Sequence, residues 1–540
     1  MHLKRLVALL VLFLGFRSIR AHAQVVATWN GGTGSWTVPT NWTPAAVPNN
    51  GGGATYDVTI NTPSSFVTMN SNETIDTLTL GAGDTLQGSA TLSLVSGMSS
   101  NSGTITDSGG VSLDNNSGSY FTNFGTIGLF TSGPSGAGVV NSGTFINSAT
   151  ISLVYTSISN SVGGSFANSG TITNNASGGI FNSGTFSNSG TIGFQGVNDP
   201  LDVSNSGTLN NSGTMNLTYG FPGTSSRFSN SGTINNSGTI NLSYFSAADN
   251  PDYFSNSGEL NNSGTINLSL GSGGDNGDYY SNSGTVTNSG TLNVTNGLGD
   301  VSAALSDSGT VDNSGTLMDA AAINNSGNFT NSGAVTITGS GVFTTSTNYT
   351  QTGGSTLVNG TLTATGSAIV NIRSGTLGGD GTINGNVLMS GTMMPGRTLM
   401  PGDSPGTLTI FGSYEQMGLG TFDELMSPLS QSLLDVNGNV TLDPGALLEI
   451  TLLNGFNPFG QAFDIMNYSA LSGEFVNGSS FWDDGYLWDV DYGQNQIDIS
   501  AVKAPEPGTF ALLAVGLIAL IVHSSRKPTY SVLRRLRRTS

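Results

Sequence analysis

The stretch from Asn230 to Leu242 reads Asn-Ser-Gly-Thr-Ile-Asn-Asn-Ser-Gly-Thr-Ile-Asn-Leu, which is the hexapeptide Asn-Ser-Gly-Thr-Ile-Asn given twice and followed by Leu. Gly tolerates positive φ and Asn hydrogen-bonds to nearby backbone, so each Asn-Ser-Gly predicts a tight turn. The aliphatic residues that follow, such as Ile240 and Leu242, are separated by even numbers and therefore face one side of a strand. We expect short strands with an apolar side and an opposite side of Thr, Ser and Asn.

The motif recurs with two periods. Asn-Ser-Gly copies pair six residues apart, and successive pairs begin about 25 residues apart: Asn182 with Asn188, Asn205 with Asn211, Asn230 with Asn236, Asn256 with Asn262, Asn282 with Asn288, Asn325 with Asn331, and the variant pair Asp307 with Asn313. An outer period of this length predicts one coil of a parallel β-solenoid, in which each coil buries its apolar face by stacking on its neighbours.

The expected fold class is therefore all-β, a right-handed parallel β-helix over residues 76–400 with about 13 coils. Stacking at about 4.8 Å places each Asn above the next and predicts an amide ladder. Low-complexity disorder is the competing interpretation. It is disfavoured because disorder would not place Ile, Leu and Val at the same phase in every pair.

Charge and composition exclude several function classes. Residues 24–507 contain four basic and all 33 acidic residues, a net charge of -29, which repels nucleic acid. The chain has no Cys, and its three His residues lie outside this segment. We call residues 24–507 the body of the protein. Ser-His and Cys-His catalysis, the common zinc sites and disulfides are therefore excluded from the body.

The N-terminus predicts export. Lys4 and Arg5 precede the apolar block 6–16, and Ala21-His22-Ala23 has the A-x-A form of a cleavage signal, so that cleavage follows Ala23. We interpret residues 1–23 as a signal peptide for Sec-type export. An uncleaved anchor is the alternative.

The C-terminus, residues 504–540, predicts a membrane helix. Residues 508–522 are apolar except for Thr509, and a basic tail follows. Fifteen residues are short for a bilayer, which takes roughly 20, unless the flanks contribute. Six basic residues would stop transfer and keep the tail cytoplasmic, with the body outside: Arg526, Lys527, Arg534, Arg535, Arg537 and Arg538.

Directly before this helix stands Pro505-Glu506-Pro507. The order of Pro-Glu-Pro, short apolar helix and arginine-rich end resembles the PEP-CTERM sorting signal of exopolysaccharide-producing Gram-negative bacteria. The resemblance implies that an exosortase, a membrane-embedded cysteine protease, recognises Pro505, Glu506 and Pro507 and removes the tail. It implies a membrane-anchored precursor and then a place in the cell envelope or extracellular matrix. A plain permanent anchor is the alternative.

Two segments flank the repeats. Residues 24–75 contain Trp29, Trp36 and Trp42 and predict an N-terminal cap, with a sugar-binding aromatic platform as the alternative. Residues 401–503 predict a C-terminal β-cap, ending in alternating strands near Trp482, Trp488 and Ile499. Segments from Gly378 to Val502 resemble autotransporter-type adhesin passengers, which are parallel β-helices.

The sequence gives weaker support to three more specific functions: polysaccharide cleavage, calcium binding and ice or crystal binding. A polysaccharide lyase or glycoside hydrolase could use a carboxylate pair, and the densest acidic cluster is Asp483, Asp484, Asp489 and Asp491. Asp275, Asn276 and Asp278 offer oxygen ligands to Ca²⁺ without EF-hand spacing. An ice- or crystal-binding face would need regular Thr-x-Thr rows, and only a few coils have them: Thr104 with Thr106, Thr171 with Thr173, and Thr285 with Thr287.

The sequence therefore assigns no catalytic, cofactor-binding or metal-binding residue and no cofactor. The expected function is that of an exported, membrane-sorted envelope or matrix protein without catalysis. It would be structural or adhesive, with weak multivalent binding to exopolysaccharide or a neighbouring surface. The alternative is the β-helical polysaccharide-cleaving enzyme.

Overall fold

The structure is a computed structural model, and it describes residues 23–107, 109–131, 136–195, 201–219, 227–244, 253–270, 279–296, 304–396, 406–428, 431–453, 455–503, 513 and 515–521. These residues form an all-β parallel solenoid, which confirms this part of the predicted fold class. Three strands make up each coil, and each strand pairs in parallel with its equivalents one coil before and after. Three long sheets result, which we name A, B and C in the order in which the chain visits them.

Sheet A contains the strands Ala23–Trp29, Trp42–Thr43, Ala54–Ile60, Thr77–Leu80, Gly97–Asn101, Ser119–Asn123, Thr144–Asn147, Ser165–Asn168, Thr185–Asn188, Thr208–Asn211, Thr233–Asn236, Glu259–Asn262, Thr285–Asn288, Thr310–Asn313, Asn328–Asn331, Tyr349–Gln351, Ile369–Ile372, Asn386–Met389, Tyr414–Gln416, Asn439–Leu442 and Ala470–Ser472.

Sheet B contains the strands Thr33–Ser35, Phe66–Met69, Thr85–Gly88, Thr104–Asp107, Thr126–Phe130, Thr150–Val154, Thr171–Asn174, Thr191–Gln195, Thr214–Tyr219, Thr239–Tyr244, Thr265–Leu270, Thr291–Asn296, Thr316–Ala320, Ala334–Ile337, Ser355–Val358, Thr376–Gly379, Thr392–Pro395, Thr421–Met426 and Leu447–Leu452.

Sheet C contains the strands Glu73–Ile75, Leu92–Leu94, Leu113–Asn115, Gly136–Asn141, Thr156–Asn160, Gly178–Asn182, Leu201–Asn205, Arg227–Asn230, Tyr253–Asn256, Tyr279–Asn282, Ala304–Asp307, Ala322–Asn325, Val342–Thr345, Thr361–Ala364, Thr382–Asn384, Thr407–Phe411, Leu433–Val436, Ala462–Asn467, Ser480–Asp483, Tyr486–Tyr492 and Gln496–Lys503. A short 3₁₀ helix spans Pro39–Asn41.

The repeats make about fifteen turns, where the 25-residue period predicted about 13. The six-residue spacing fixes only part of each coil, namely the strand of sheet A and the two corners beside it. Between Thr85 and Pro395, the connection from sheet B to sheet C varies from the single residue Tyr155 to the eight-residue stretch 271–278. Coils with short connections need fewer residues, so more of them fit between Thr85 and Pro395.

The apolar positions of all three sheets face inward and form one continuous core. Ile234, Ile240 and Leu242 are buried as the even spacing predicted. Identical residues stack between coils, and the rings of Phe145 and Phe166 lie 4.7 Å apart and nearly parallel. Such offset stacking adds to the hydrophobic stabilisation that burial provides.

The Asn of each motif closes its strand and points into the core, which corrects the expectation that this Asn faces outward. At the corner between sheets A and B, Asn236 Nδ2 donates to Asn262 Oδ1 over 2.8 Å, and Asn211 Nδ2 donates to Asn236 Oδ1 over 2.8 Å. Eleven buried Asn residues continue this ladder without a break: Asn101, Asn123, Asn147, Asn168, Asn188, Asn211, Asn236, Asn262, Asn288, Asn313 and Asn331.

A second buried ladder lies at the corner between sheets C and A. It runs through Asn115, Asn141, Asn160, Asn182, Asn205, Asn230, Asn256 and Asn282 and reaches Asp307. Most of these amides also bond backbone at their own corner, as Asn236 Nδ2 does to Gly238 O. Because buried polar groups must be hydrogen-bonded, the ladders satisfy both the side chains and the turns.

The Gly of the motif is needed for space, and the positive φ expected for it is not observed at the repeated corners. A Cβ on Gly238 would lie 2.1 Å from the carbonyl oxygen of Gly213 in the preceding coil. Gly207 has the same relation to Gly184, also at 2.1 Å. Successive coils approach so closely at these corners that no side chain fits between them.

The two ends of the solenoid depart from parallel pairing. Near the N-terminus, Ala23–Trp29 pairs in parallel with Ala54–Ile60 and antiparallel with Trp42–Thr43. At the other end, Ala462–Asn467, Gln496–Lys503, Tyr486–Tyr492 and Ser480–Asp483 form consecutive antiparallel pairs.

The predicted C-terminal helix, residues 508–522, lies only partly within the described residues. Leu513 and residues 515–521 are helical. Within the part of the chain that the structure describes, no helix is long and apolar enough to cross a membrane, so the expected transmembrane helix finds no support there.

Candidate functional site

The outer face of sheet B carries an uninterrupted column of threonines. Each begins its strand, points away from the core and lies in register with the next: Thr85, Thr104, Thr126, Thr150, Thr171, Thr191, Thr214, Thr239, Thr265, Thr291 and Thr316. The neighbouring outward column is mixed and includes Gly193 and Asn241. Thr285 and Thr287 lie on sheet A. The three Thr-x-Thr pairs therefore do not form one regular array of the kind expected for an ice-binding face.

A groove of about 590 Å³ follows the corner between sheets A and B. Its floor is an outward column of sheet A, namely Ile146, Ala167, Ser187, Asn210, Asn235, Asn261 and Thr287. Its wall is the serine of the repeated motif: Ser169, Ser189, Ser212, Ser237, Ser263 and Ser289. With seven coils contributing, the floor is roughly 30 Å long.

The floor contains an exposed amide ladder. Asn235 Nδ2 donates to Asn210 Oδ1 over 2.9 Å, and Asn261 Nδ2 donates to Asn235 Oδ1 over 3.0 Å. Each amide has two donor hydrogens and two acceptor lone pairs, so the ladder leaves donor and acceptor capacity facing solvent. The wall residue Ser237 donates to Asn211 O over 3.4 Å and retains its own lone pairs. All of the residues that line the groove are uncharged.

Exposed apolar side chains gather at the N-terminal end of this groove. The strand Ser119–Asn123 pairs with that of Ile146. Tyr120 in this strand is 51% exposed, and Phe124, which follows the strand in the place that Ser has in the motif, is 61% exposed. Tyr120 pairs in register with Met98, which is also exposed. Tyr120 lies in the strand and Phe124 at the corner that follows it, roughly 13 Å apart along the chain, and Thr122 between them pairs with Ile146. An exposed aromatic patch next to a polar groove is typical of a binding surface.

The tryptophans near the N-terminus do not form an aromatic platform. Trp29, Trp36 and Trp42 are buried, and their rings pack edge to face with centroid distances of 5.0 and 4.8 Å. The indole of Trp36 donates to Pro48 O over 3.0 Å, and that of Trp42 donates to Trp36 O over 2.7 Å. The sugar-binding alternative for this segment is therefore wrong at these three rings.

Two of the clustered aspartates protect the free edge of sheet B. The strand Leu447–Leu452 is the last of that sheet, and its outward amides bond side chains: Ile450 N donates to Asp483 Oδ2 over 2.8 Å, and Leu452 N donates to Asp484 Oδ2 over 3.3 Å. Asn477 accepts from Leu448 N over 2.9 Å in the same way. These contacts prevent further strand pairing at the edge.

The other two clustered aspartates lie on the antiparallel strand Tyr486–Tyr492. Asp489 accepts from Ser480 Oγ over 3.0 Å, and Asp491 is paired in register with Asp498. Trp482 is exposed, whereas Trp488 is buried. The four aspartates thus lie close in the chain, and two of them are engaged by the backbone of sheet B.

Several acids lie inside the solenoid, where burial raises their pKa. Burial raises the pKa of Asp319 to about 7, and its Oδ2 has no hydrogen-bond partner among the described residues. Burial also raises the pKa of Asp307, against the hydrogen bond that Asn282 donates to it. The pKa of Glu424 is raised well above its usual range, first by burial and then by the charge of Asp423.

Most of the predicted sorting residues lie outside the described residues. These are Ala21, Pro505, Glu506, Pro507, Arg526, Lys527, Arg534, Arg535, Arg537 and Arg538, and the candidate calcium ligands Asp275, Asn276 and Asp278 are outside as well. Ala23, the last residue of the predicted signal peptide, begins the first strand, and its amide donates to Gly53 O over 3.1 Å. Among the described residues, no group of three or more His, Cys, Asp or Glu side chains is placed to hold a metal ion.

Comparison with known proteins gave no relative: no protein-family model matches the chain, and no curated protein matches it.

The groove was not predicted from the sequence, although a signal for it is present. Adjacent strand residues face opposite sides, so in Asn235-Asn236 one amide must be buried and the other exposed. The doubled asparagines at 210–211, 235–236 and 261–262 thus mark the exposed ladder. The aromatic end has a weaker signal, namely Phe124 in place of the motif serine.

Proposed function

We propose that the protein is an exported, membrane-sorted, non-catalytic component of the cell envelope or extracellular matrix that binds polysaccharide or a neighbouring surface weakly and repeatedly. The observation that carries the proposal is the stacking of identical outward polar side chains over many coils, as in the threonine column of sheet B. Each position offers one weak contact, and a solenoid holds many of them in fixed register, so avidity arises without a single strong site.

Export and sorting belong to the proposal through the sequence of the two ends. The signal peptide 1–23 would bring the chain to Sec-type export, and the Pro505-Glu506-Pro507 signal with its apolar helix and basic tail would hold a precursor in the membrane. An exosortase-type protease would then release the body. Reporter fusions after Ser500 should be active outside the cytoplasm and fusions after Arg535 inside it; an inactive fusion after Ser500 contradicts the topology.

Intact mass separates processing from permanent anchoring. In cells that contain an exosortase, the exported protein should lack its last 30 or so residues, in line with a cut near the Pro-Glu-Pro signal at 505–507. A full-length C-terminus on the exported form would favour the plain anchor. Replacing Glu506 by Gln should cause unprocessed precursor to accumulate if this carboxylate is part of the recognised motif.

A polysaccharide-cleaving enzyme is the second candidate. It has less support because Asp483 and Asp484 already accept hydrogen bonds from the edge of sheet B. The body also contains no His or Cys for the other common hydrolytic mechanisms.

The deciding experiment mixes the full chain with the polysaccharide of its own producing cells. Capture of the protein by the polysaccharide, without new reducing ends or unsaturated uronates, is the expected result. Release of either product would contradict the non-catalytic proposal and direct attention to Asp489 and Asp491. Absence of capture would leave a spacer or coat without ligand binding.

A further inference from the structure

We infer that the groove along the corner between sheets A and B binds a single uncharged polysaccharide chain lengthwise, with the exposed aromatic side chains at its N-terminal end packing against sugar rings of that chain. This inference rests on the proposed function and deepens it, because it names the surface and the chemical class of the ligand. The groove residues and the two exposed aromatic residues were not among the candidate binding residues predicted from the sequence.

The shape of the groove indicates an extended ligand. It crosses seven successive coils, and its floor repeats one side-chain position per coil. A compact small molecule would contact only part of this surface. A polymer lying along the solenoid axis would meet an equivalent environment at each step, roughly every 4.8 Å.

The chemistry of the floor and wall indicates an uncharged ligand. The amides of Asn210, Asn235 and Asn261 present donors and acceptors together, which matches sugar hydroxyls that also do both. No charged side chain lines the groove, whereas the body around it has a net charge of -29. A polyanion would therefore be repelled at long range without any cation to receive it.

The exposed aromatic side chains supply apolar contact area, which the polar floor of the groove lacks. Hydrogen bonds exchanged with water give little net affinity, so a polar groove alone would bind weakly. The exposed rings of Tyr120 and Phe124 provide apolar area against which the C–H face of a sugar ring can pack. Thr122 pairs in register with Ile146 and continues the floor column, with Tyr120 two residues before it and Phe124 two residues after it, so a chain that leaves the floor over Thr122 passes between the two rings.

The chain offers matched control positions. Asn241 belongs to the same coil as Asn235 and forms an exposed ladder of its own, with Nδ2 donating to Asn216 Oδ1 over 2.7 Å, but it lies on sheet B outside the groove. Phe181 is a partly exposed aromatic residue on sheet C. Asn241→Ala and Phe181→Ala therefore remove the same chemistry from other faces.

The experiment is affinity electrophoresis of the full chain through gels that contain neutral polymers: hydroxyethylcellulose, dextran or galactomannan. Carboxymethylcellulose serves as the charged counterpart. We expect retardation in at least one neutral gel and none in the charged gel. Asn235→Ala should weaken binding about threefold to tenfold, as loss of one hydrogen-bonding group predicts. The double variant Tyr120→Ala/Phe124→Ala should weaken it about tenfold or more, and both controls should bind like the original chain.

Circular dichroism melts show whether each variant is folded, and the exposed positions make this the expected outcome. No retardation in any neutral gel, stronger retardation in carboxymethylcellulose, or equal effects of groove and control variants would each overturn the inference. If the producing cell's polysaccharide is still captured in those cases, only this inference fails. If that polysaccharide is not captured either, the proposed function fails with it.

Discussion

Asn235 and Asn236 are adjacent in the chain, identical in chemistry and opposite in role. The amide of Asn236 is buried and bonds to the coils on both sides and to its own corner, whereas that of Asn235 lies exposed on the floor of the groove. The same side chain, stacked at the same spacing, holds the corner together on one face and remains available to a ligand on the other. What differs is the desolvation of the amide, because a buried amide must be fully bonded and an exposed one need not be.

The largest expected effect comes from removing the buried amide. Asn236→Ala leaves Asn211 and Asn262 without their partner and opens a void, so the free energy of unfolding should fall by about 3–5 kcal/mol. Asn235→Ala should lower it by less than about 0.5 kcal/mol. Urea denaturation of the full chain measures both, and similar losses for the two variants would contradict the assignment of inside and outside.

The corner glycine gives the next effect. Gly238→Ala places a methyl group against the carbonyl oxygen of Gly213 and should cost about 2–3 kcal/mol through overpacking. The control is Gly193, which lies in an outward column of sheet B with no atom within 4 Å of an added Cβ. Gly193→Ala should leave the urea midpoint unchanged or raise it slightly. A tolerated Gly238→Ala would show that the coils can separate at this corner.

The sequence predicted the fold class and the stacking of Asn because both follow from spacing. Alternation placed Ile240 and Leu242 inside, and the pair spacing indicated coils. The sequence did not predict that Asn236 is buried, because a polar side chain is expected to be exposed. Burial of this amide is favourable only because the ladder satisfies its hydrogen bonds. The role of Gly238 was missed for a similar reason, because its constraint comes from Gly213 in the preceding coil, far away in the chain.

Less of the candidate site than of the fold could be predicted from the sequence. The aspartates near Trp482 look like a reactive cluster in the chain, yet Asp483 accepts a hydrogen bond from Ile450 at the sheet edge. The groove arises where seven coils align, and no single segment of sequence contains it. Tyr120 and Asn261 become parts of one face only through the register of the strands between them.

Buried carboxyls make the stability of the body depend on pH. Burial raises the pKa of Asp319 to about 7, from 3.8 when unperturbed, so the folded state binds the proton more tightly. The resulting stabilisation is fully present below about pH 4 and is lost as pH rises through 7. For this group the loss between pH 5 and 8 should be about 2–3 kcal/mol.

Urea midpoints measured at pH 5 and pH 8 test this dependence. The full chain should be more stable at pH 5, and Asp319→Asn, which mimics the protonated acid, should be less sensitive to pH. Greater stability at pH 8 for the original chain would contradict the proposed sign. Unchanged pH sensitivity in the variant would assign the effect to other buried acids, such as Glu424.

The smallest effect is expected where one acid interrupts a ladder of amides. Asn282 Nδ2 donates to Asp307 Oδ1 over 2.6 Å, but Asp307 Oδ2 has no hydrogen-bond partner among the described residues, at the position where an Asn would carry its donor. Asp307→Asn supplies that donor for Asn325 and removes a buried charge. It should raise the free energy of unfolding by about 1 kcal/mol at pH 8.

The gain from Asp307→Asn should shrink in acid, because protonation gives Asp307 a donor of its own and its pKa is raised by burial. Asp312, five residues later, is exposed on the outer face of sheet A and provides the matched control. Asp312→Asn removes the same charge without adding a ladder contact, so its effect should be near zero at both pH values. Equal stabilisation by the two variants would mean that relief of the overall negative charge, and not repair of the ladder, is responsible. A gain confined to Asp307→Asn at pH 8 would show that the buried face selects amides over carboxylates, while the exposed face tolerates either.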